Sequence, residues 1–274
     1  MIELLKYIIL GIIQGLTEPL PISSSGHLIV FRNMFNTNMF NDFNFEIVVN
    51  FGSFLAILFI FRKDIIKLIK SFFTFLLKKE QRKDIPTKID FKYCLLIIIA
   101  TIPVSIVGLI FKSFIEDKIG NNVKLVGFAL LITALALFVV SRLKGKKEDK
   151  DITYLDAILI GLLQVFTIVP GISRSGTVLV ACLLRDFKRD TALKYTFMLY
   201  FPISIAAMIL GIKDIINMGN LNTVLIPYFI GMVATTIVTY FSYRWMSEWV
   251  KKGKLWYFAI YCIIAGITVL FFFR

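Results

Sequence analysis

The sequence predicts an all-α polytopic membrane protein made of two inverted-topology repeats, each a re-entrant helical hairpin followed by three transmembrane helices. Three observations carry this: long apolar blocks, an internal duplication, and an uneven distribution of basic residues. The 274-residue chain is 58% hydrophobic with a mean hydropathy of +0.80, against roughly 45–50% apolar in an average soluble domain. Blocks such as 94–111, 123–141, 226–243 and 256–273 match a hydrocarbon core of about 30 Å at a helical rise of about 1.5 Å per residue. Residues 1–16 lack a basic start and a small-residue cleavage site, so they are expected to stay as structure and not to be removed as a signal peptide. Cys94, Cys182 and Cys262 lie singly in apolar segments, which predicts small buried side chains with neither disulfides nor a zinc site.

The duplication appears on shifting the chain by 150 residues. Gly11 then meets Gly161, Gln14 meets Gln164, Thr17 meets Thr167, Ser23 meets Ser173, Ser25 meets Ser175 and Gly26 meets Gly176, without a gap. Lys63-Asp64-Ile65 likewise meets Lys213-Asp214-Ile215, a pair that reads as repeated anchoring at the membrane interface. Repeat 1 covers 1–143, a charged linker 144–151, and repeat 2 covers 152–274, all in one membrane domain. Each half opens on a piece too short to span. Residues 4–16 are broken by Pro19 and Pro21 before a second piece at 27–35, and 154–169 breaks at Pro170-Gly171 and resumes after Gly176. Irregular backbone at membrane depth must be buried in protein or line a wet cavity, so 4–35 and 154–184 are read as re-entrant hairpins. Spans are expected at about 46–61, 92–112 and 122–142, then at about 191–212, 224–244 and 254–273.

Three crossings per half invert the second repeat relative to the first. Segments 62–92, 142–153, 185–194 and 244–254 then share one face, and they hold ten, five, four and four of the 31 Lys and Arg residues. The opposite face holds seven: Lys6, Arg32, Lys112, Lys118, Lys124, Lys213 and Arg274. The positive-inside rule makes the first face cytoplasmic and puts both termini outside. The net charge of +13 is thereby explained by membrane sorting, and a nucleic-acid surface is not expected.

Unusual polar residues gather at the two hairpin tips. Glu18, His27 (the single histidine) and Arg174 fall where an ionised group costs about 2.5–3.5 kcal/mol on insertion scales, which by default marks function. Helix N-termini beginning near Gly26 and Gly176 would direct free N–H groups at a shared cavity, with Ser23, Ser25, Ser173, Ser175 and Thr177 as neighbouring phosphate ligands. Arg174 offers a planar donor fork for phosphate oxygens. Glu18 is a base or metal ligand, with Gln14 one turn before it, and His27 can activate a hydroxyl such as Ser24 or protonate a leaving oxygen. With no Gly-rich nucleotide loop, this kit points to a phosphate ester or anhydride in lipid and not to a nucleotide. Plainer readings exist for several residues. Serines cap helices, His27 can be a contact between helices, Arg174 can neutralise Glu18, Gln14 and Gln164 can join helices, and Thr17 and Thr167 can bond back to their own helices.

Gln14-x-x-x-Glu18, the Ser-Ser-x-Gly-His run ending at His27, and Pro170-Gly-x-Ser-Arg-Ser175 resemble the undecaprenyl-diphosphatase family, the bacitracin-resistance proteins, over essentially the whole length. The resemblance implies hydrolysis of undecaprenyl pyrophosphate to the monophosphate lipid carrier of cell-wall synthesis. It also implies a divalent cation (Mg2+ or Ca2+) and Ser24 as candidate nucleophile. The chain carries the Gln form of the first motif. It also has Val178 where the second motif usually has Thr, with Thr177 just before it. The expected partners are the polyprenyl pyrophosphate, membrane lipids and a second copy in a homodimer, with the active site inside a bacterial plasma membrane and open to the outer face. The alternative reading is a polyprenyl-phosphate transporter, since inverted repeats with broken helices also build secondary transporters. Attack by Ser24 and attack by water activated by His27 or Glu18 both stay open.

Overall fold

The computed structural model describes residues 2–35, 43–111, 122–216 and 221–273. These form ten α-helices: α1 (Ile2–Thr17), α2 (Ser24–Phe35), α3 (Phe43–Leu77), α4 (Ile85–Ile110), α5 (Val123–Val140), α6 (Tyr154–Gln164), α7 (Arg174–Leu184), α8 (Arg189–Ile216), α9 (Leu221–Lys251) and α10 (Leu255–Phe272). A 3₁₀ turn, Val165–Ile168, continues α6. Six helices (α3, α4, α5, α8, α9 and α10) are long and apolar enough to cross a membrane. The helices α1, α6 and α7 are apolar but shorter.

Local chemistry sets the breaks. Ser23 and Ser173 act as N-caps, their Oγ atoms accepting from Gly26 N at 3.3 Å and Gly176 N at 3.0 Å. A capping oxygen satisfies a first-turn N–H that has no helical acceptor, so α2 and α7 begin two residues before the glycines, at Ser24 and Arg174. Ser23 reaches its cap with φ +70° and Gly171 turns the second tip with φ +95°, a region that L side chains occupy at a cost. Thr17 Oγ1 donates to Ile13 O and Thr167 Oγ1 to Gln164 O, both at 2.7 Å, as the sequence predicted.

The spans run longer than their apolar blocks. A 35-residue α3 is about 52 Å long, well beyond the hydrocarbon thickness. Its end, the 3₁₀ turn Lys79–Lys83 and the start of α4 replace the loop expected at 62–92. Phe91 stacks on Phe72 and Phe75 with centroids 5.4 and 4.0 Å away, while Asp90 accepts from Lys67 at 2.8 Å and Ser71 at 2.9 Å. An amphipathic extension with its own packing outweighs the charge run that suggested a loop. The expected span end at Lys112 lies outside the described residues. The linker is anchored too: Asp156 accepts from Lys147 Nζ at 2.9 Å and Arg185 Nε at 2.7 Å, and Lys147 N bonds Asp186 O at 2.8 Å. Cys182 and Cys262 are buried as expected, whereas Cys94 is half-buried; all three are free thiols.

Packing is crosswise between the halves. Helix α1 lies against α9 and α6 against α4, while α3 crosses α8 and α5 runs against α10. Small and hydroxylic residues make these approaches close, the usual way apolar helices associate where lipid supplies no hydrophobic gain. On α9, Thr235 Oγ1 donates to Gly11 O at 2.9 Å, Thr236 Oγ1 to Gly52 O at 3.1 Å, and Thr239 Oγ1 meets Ser53 Oγ at 3.0 Å. A methyl group at Gly161 would strike the backbone of Ala100. These contacts bring the two turns, 18–23 and 169–173, together inside the bundle. Ser175 Oγ bonds Leu20 O at 3.1 Å; a Cβ at Gly26 would come to 2.9 Å from Val126 and 3.0 Å from the Gly171 Cα, and one at Gly176 to 3.2 Å from Pro21 O.

Candidate active site

The joined turns close the head of a cavity of about 530 Å³. Glu18, Ser23, Ser24, Ser25, Ser173, Arg174, Ser175, Asn50, Tyr200 and Ser204 line it, and much of the remaining wall is apolar, including Val104, Leu109, Ile168, Ala207, Met208 and Leu210. A polar head joined to an apolar wall suits an amphiphile, whose charged group needs donors and whose chain needs hydrocarbon.

Glu18 is the hub. It sits just past the end of α1, its N–H still bonded to Gln14 O at 2.9 Å, and its side chain is 6% exposed. Three donors from three elements reach its carboxylate: Ser24 Oγ at the start of α2, Arg174 Nη2 at the start of α7, and Gln14 Nε2 at 3.0 Å from the preceding turn. A buried carboxylate needs such partners, because an unpaired charge out of water is far costlier than the bonds it makes. Arg174 spends one N–H on Glu18 and has more to offer, since a guanidinium carries five. Its charge lies over the Tyr200 ring at 4.6 Å, and Tyr200 OH donates to Asn50 O at 3.4 Å. The first-turn N–H groups of α2 and α7 that the capping serines leave over add neutral donors to the same head.

Of the sequence-predicted residues, Glu18, Ser23, Ser24, Ser25, Ser173, Arg174 and Ser175 line one cavity. His27 is elsewhere. Its Nδ1 meets Ser23 O at 2.6 Å and its Nε2 meets Tyr261 OH at 2.7 Å, on α10, behind the tip. Both ring nitrogens are taken, so Ser24 and His27 do not share a cavity as their spacing suggested. An i to i+3 offset places neighbours on one helix face, but the irregular Ser23 backbone carries Ser24 to the Glu18 side. Gly26, Gly176 and Thr177 form the turns without lining the cavity. Gln164, expected to join helices, is fully buried with neither amide atom hydrogen-bonded. The side chain of Asp214 lies outside the described residues, whereas Asp64 pairs with Lys194 at 3.0 Å. Asn50, Tyr200 and Tyr261 were missed. A lone Asn inside an apolar span was a readable signal; tyrosines in an aromatic-rich chain were not.

The donor set does not fit a resident divalent ion between Gln14 and Glu18. Hard cations take oxygen ligands. Here Gln14 turns its N–H toward Glu18, and a guanidinium occupies the other carboxylate oxygen. Glu46, the other carboxylate in the lining, pairs with Arg32 at 3.1 Å.

Among the described residues, ten helices bring two turns together on a carboxylate, a hydroxyl and a guanidinium above an apolar wall, in a chain with six helices long and apolar enough to cross a membrane. Comparison with known proteins agrees. The family model described as bacitracin resistance protein BacA matches residues 7–268. The chain is 43% identical over 268 residues to undecaprenyl-diphosphatase 1 of Bacillus cereus, covering 98% of this chain and 97% of that one. It is 42% identical over 270 residues to undecaprenyl-diphosphatase of Oceanobacillus iheyensis, covering 98% and 96%. Against undecaprenyl-diphosphatase 1 of Halalkalibacterium halodurans it is 40% identical over 267 residues, covering 97% and 95%. The chain belongs to the BacA bacitracin-resistance family and is a multi-pass membrane protein.

Proposed function

We propose that this protein hydrolyses undecaprenyl pyrophosphate to undecaprenyl phosphate and inorganic phosphate, returning the lipid carrier to cell-wall synthesis and giving bacitracin resistance. The observation that carries this reading is the convergence of Ser24 and Arg174 on Glu18 at the head of a cavity with an apolar wall. The pyrophosphate sits at the helix N-termini and Arg174, and the prenyl chain follows the apolar wall. Ser24 Oγ attacks the terminal phosphorus while its proton passes to Glu18. The bond from that phosphorus to the bridging oxygen breaks, and undecaprenyl phosphate leaves. Glu18 passes that proton on to the departing lipid phosphate; water then attacks the phosphoserine, giving a proton to Glu18, which returns it to Ser24 Oγ as the Oγ–phosphorus bond breaks and inorganic phosphate leaves. Arg174 holds the equatorial charge, since in phosphoryl transfer positioning and electrostatics supply most of the catalysis. The Ser24–Glu18 bond favours chemistry over transport alone, because a carrier needs an anion site but no hydroxyl set against a base.

Two displacements at phosphorus retain configuration, whereas a single attack by water inverts it. Purified protein in detergent should release phosphate from undecaprenyl pyrophosphate, and a chiral terminal phosphoryl group should come through with retention. Inversion would remove Ser24 as nucleophile and leave Glu18 activating water. A divalent cation would have to arrive with the substrate and not reside on Glu18, which is committed to Arg174 and Gln14.

The same reading sets the protein in a bacterial plasma membrane with its second half inverted, both hairpins re-entrant and both termini outside. Crosswise packing supports it, as does the contact of Gly26 with Gly171 and of Gly176 with Pro21, because the 150-residue shift relates Pro21 to Gly171 and Gly26 to Gly176. Single cysteines placed in 79–83 and 144–151 should resist an impermeant thiol reagent in intact cells; labelling of both from outside would overturn the orientation.

A further inference from the structure

We propose that Asn50 is a substrate-binding residue that donates its amide N–H2 to the pyrophosphate, and that Gln14 fixes that orientation; the inference rests on the phosphatase reading above. The argument runs along a chain of amides. A carboxylate only accepts hydrogen bonds, so the Gln14 atom facing Glu18 at 3.0 Å is Nε2. The same nitrogen lies 2.7 Å from the Asn50 side chain, which makes the facing Asn50 atom its Oδ1. Both Nε2 hydrogens are then used, and the Gln14 Oε1 is buried without a partner, so only its donors hold Gln14. Asn50 is left with its N–H2, on a side chain that lines the cavity beside Glu18. Its backbone is tied to the hydroxyl of Tyr200, whose ring carries the Arg174 guanidinium. A neutral donor and a cation thus stand in one cavity, Asn50 linked to Glu18 through Gln14 and Arg174 bonded to Glu18 directly.

This gives the Gln form of the first motif a role. With a carboxylate at position 14, Asn50 would turn its N–H2 to that carboxylate and present Oδ1 to the phosphates, an acceptor where a donor is needed.

The test is steady-state turnover of undecaprenyl pyrophosphate by purified Asn50→Ala, Asn50→Asp and Gln14→Glu. It is paired with the Kd of the same lipid in a Ser24→Ala background, which needs no turnover. A hydrogen bond to a charged group is worth roughly ten- to hundredfold in affinity. Asn50→Ala should therefore raise KM and Kd about tenfold, with kcat changed much less. Asn50→Asp keeps an acceptor for Gln14 but sets a carboxylate against the phosphates, so it should be the more damaged of the two. A purely structural Asn50 predicts the reverse order, and that order in both KM and Kd overturns the proposal. Gln14→Glu also sets a carboxylate against Glu18 and so lowers kcat in either background, but its rise in KM and Kd should add little to that of Asn50→Ala; fully additive rises in KM and Kd would break the link between the two residues. Should Asn50→Asp fail to fold, the comparison of Gln14→Glu with and without Asn50→Ala decides alone. If the native protein does not turn the lipid over while the Kd order holds, the phosphatase reading fails and Asn50 stands as a pyrophosphate ligand.

Discussion

The two tips began as copies and now do different work. The first, residues 18–27, and the second, 168–177, share the capping serine, the paired serines at 23/25 and 173/175, and the glycine one turn into the following helix. Their Oγ–Oγ distances match as well, 3.5 Å for Ser23–Ser25 and 3.4 Å for Ser173–Ser175. Ile22 and Ile172 match too, but the other positions diverge: Glu18 corresponds to Ile168, Ser24 to Arg174, His27 to Thr177, and, further along, Asn50 to Tyr200. What stayed alike builds the turn and starts the helix. What changed is the chemistry, and the changed residues meet across the interface, with Ser24 and its counterpart Arg174 bonded to the same carboxylate. Duplication supplied a frame with two converging helix N-termini; asymmetric substitution placed a carboxylate, a hydroxyl and a cation in it.

The strongest way to break that contrast is at the hub. Glu18→Gln keeps the shape but removes the base and leaves Arg174 without its counter-charge. Its kcat for phosphate release should fall about 10²–10⁴-fold, the range for loss of a general base, whereas Ile168→Gln, on the apolar wall, should raise KM but keep kcat within about threefold of native on the same scale. Comparable losses in both would mean that the tips are catalytically alike. Next is Arg174, whose replacement by Lys should cost about 10²–10³ in kcat, near the cost of Ala, because a point charge cannot share its donors between Glu18 and phosphate. Near-native turnover of the Lys variant would reduce Arg174 to a counter-charge.

Smaller effects sharpen the picture. His27 is read as a positioning residue, so Tyr261→Phe, which removes one of its two bonds, should lower stability by about 1 kcal/mol and leave the pH profile of kcat unmoved. A displaced profile would restore His27 to proton transfer. Thr177→Val, at the corresponding place in the second tip, should alter neither. The smallest effect is expected at Gln164. Burying an unbonded amide is unfavourable, so Gln164→Leu should hold or raise the thermal midpoint, by the equivalent of about 1 kcal/mol. Gln14→Leu should depress turnover, and a loss of stability in Gln164→Leu as large as that of a core deletion would show an unseen bond.

The sequence by itself determined the helical class, the six spans, the duplication and nearly all of the residues at the cavity head. These features are local or periodic: apolar runs, proline breaks, capping serines and charges too costly to bury without purpose. It could not locate the end of α3, because a charged amphipathic helix and a charged loop have similar composition until Phe72 and Phe75 find Phe91. Nor could it choose between His27 and Glu18 as the partner of Ser24. That choice depends on the φ of Ser23 and on Tyr261, 234 residues from His27. The Gln14–Asn50 bond and the seat of Arg174 on Tyr200 likewise join residues far apart in the chain. Hydrogen bonds are directional and reach only about 3 Å, so which polar groups serve which others was decided only when the helices packed together.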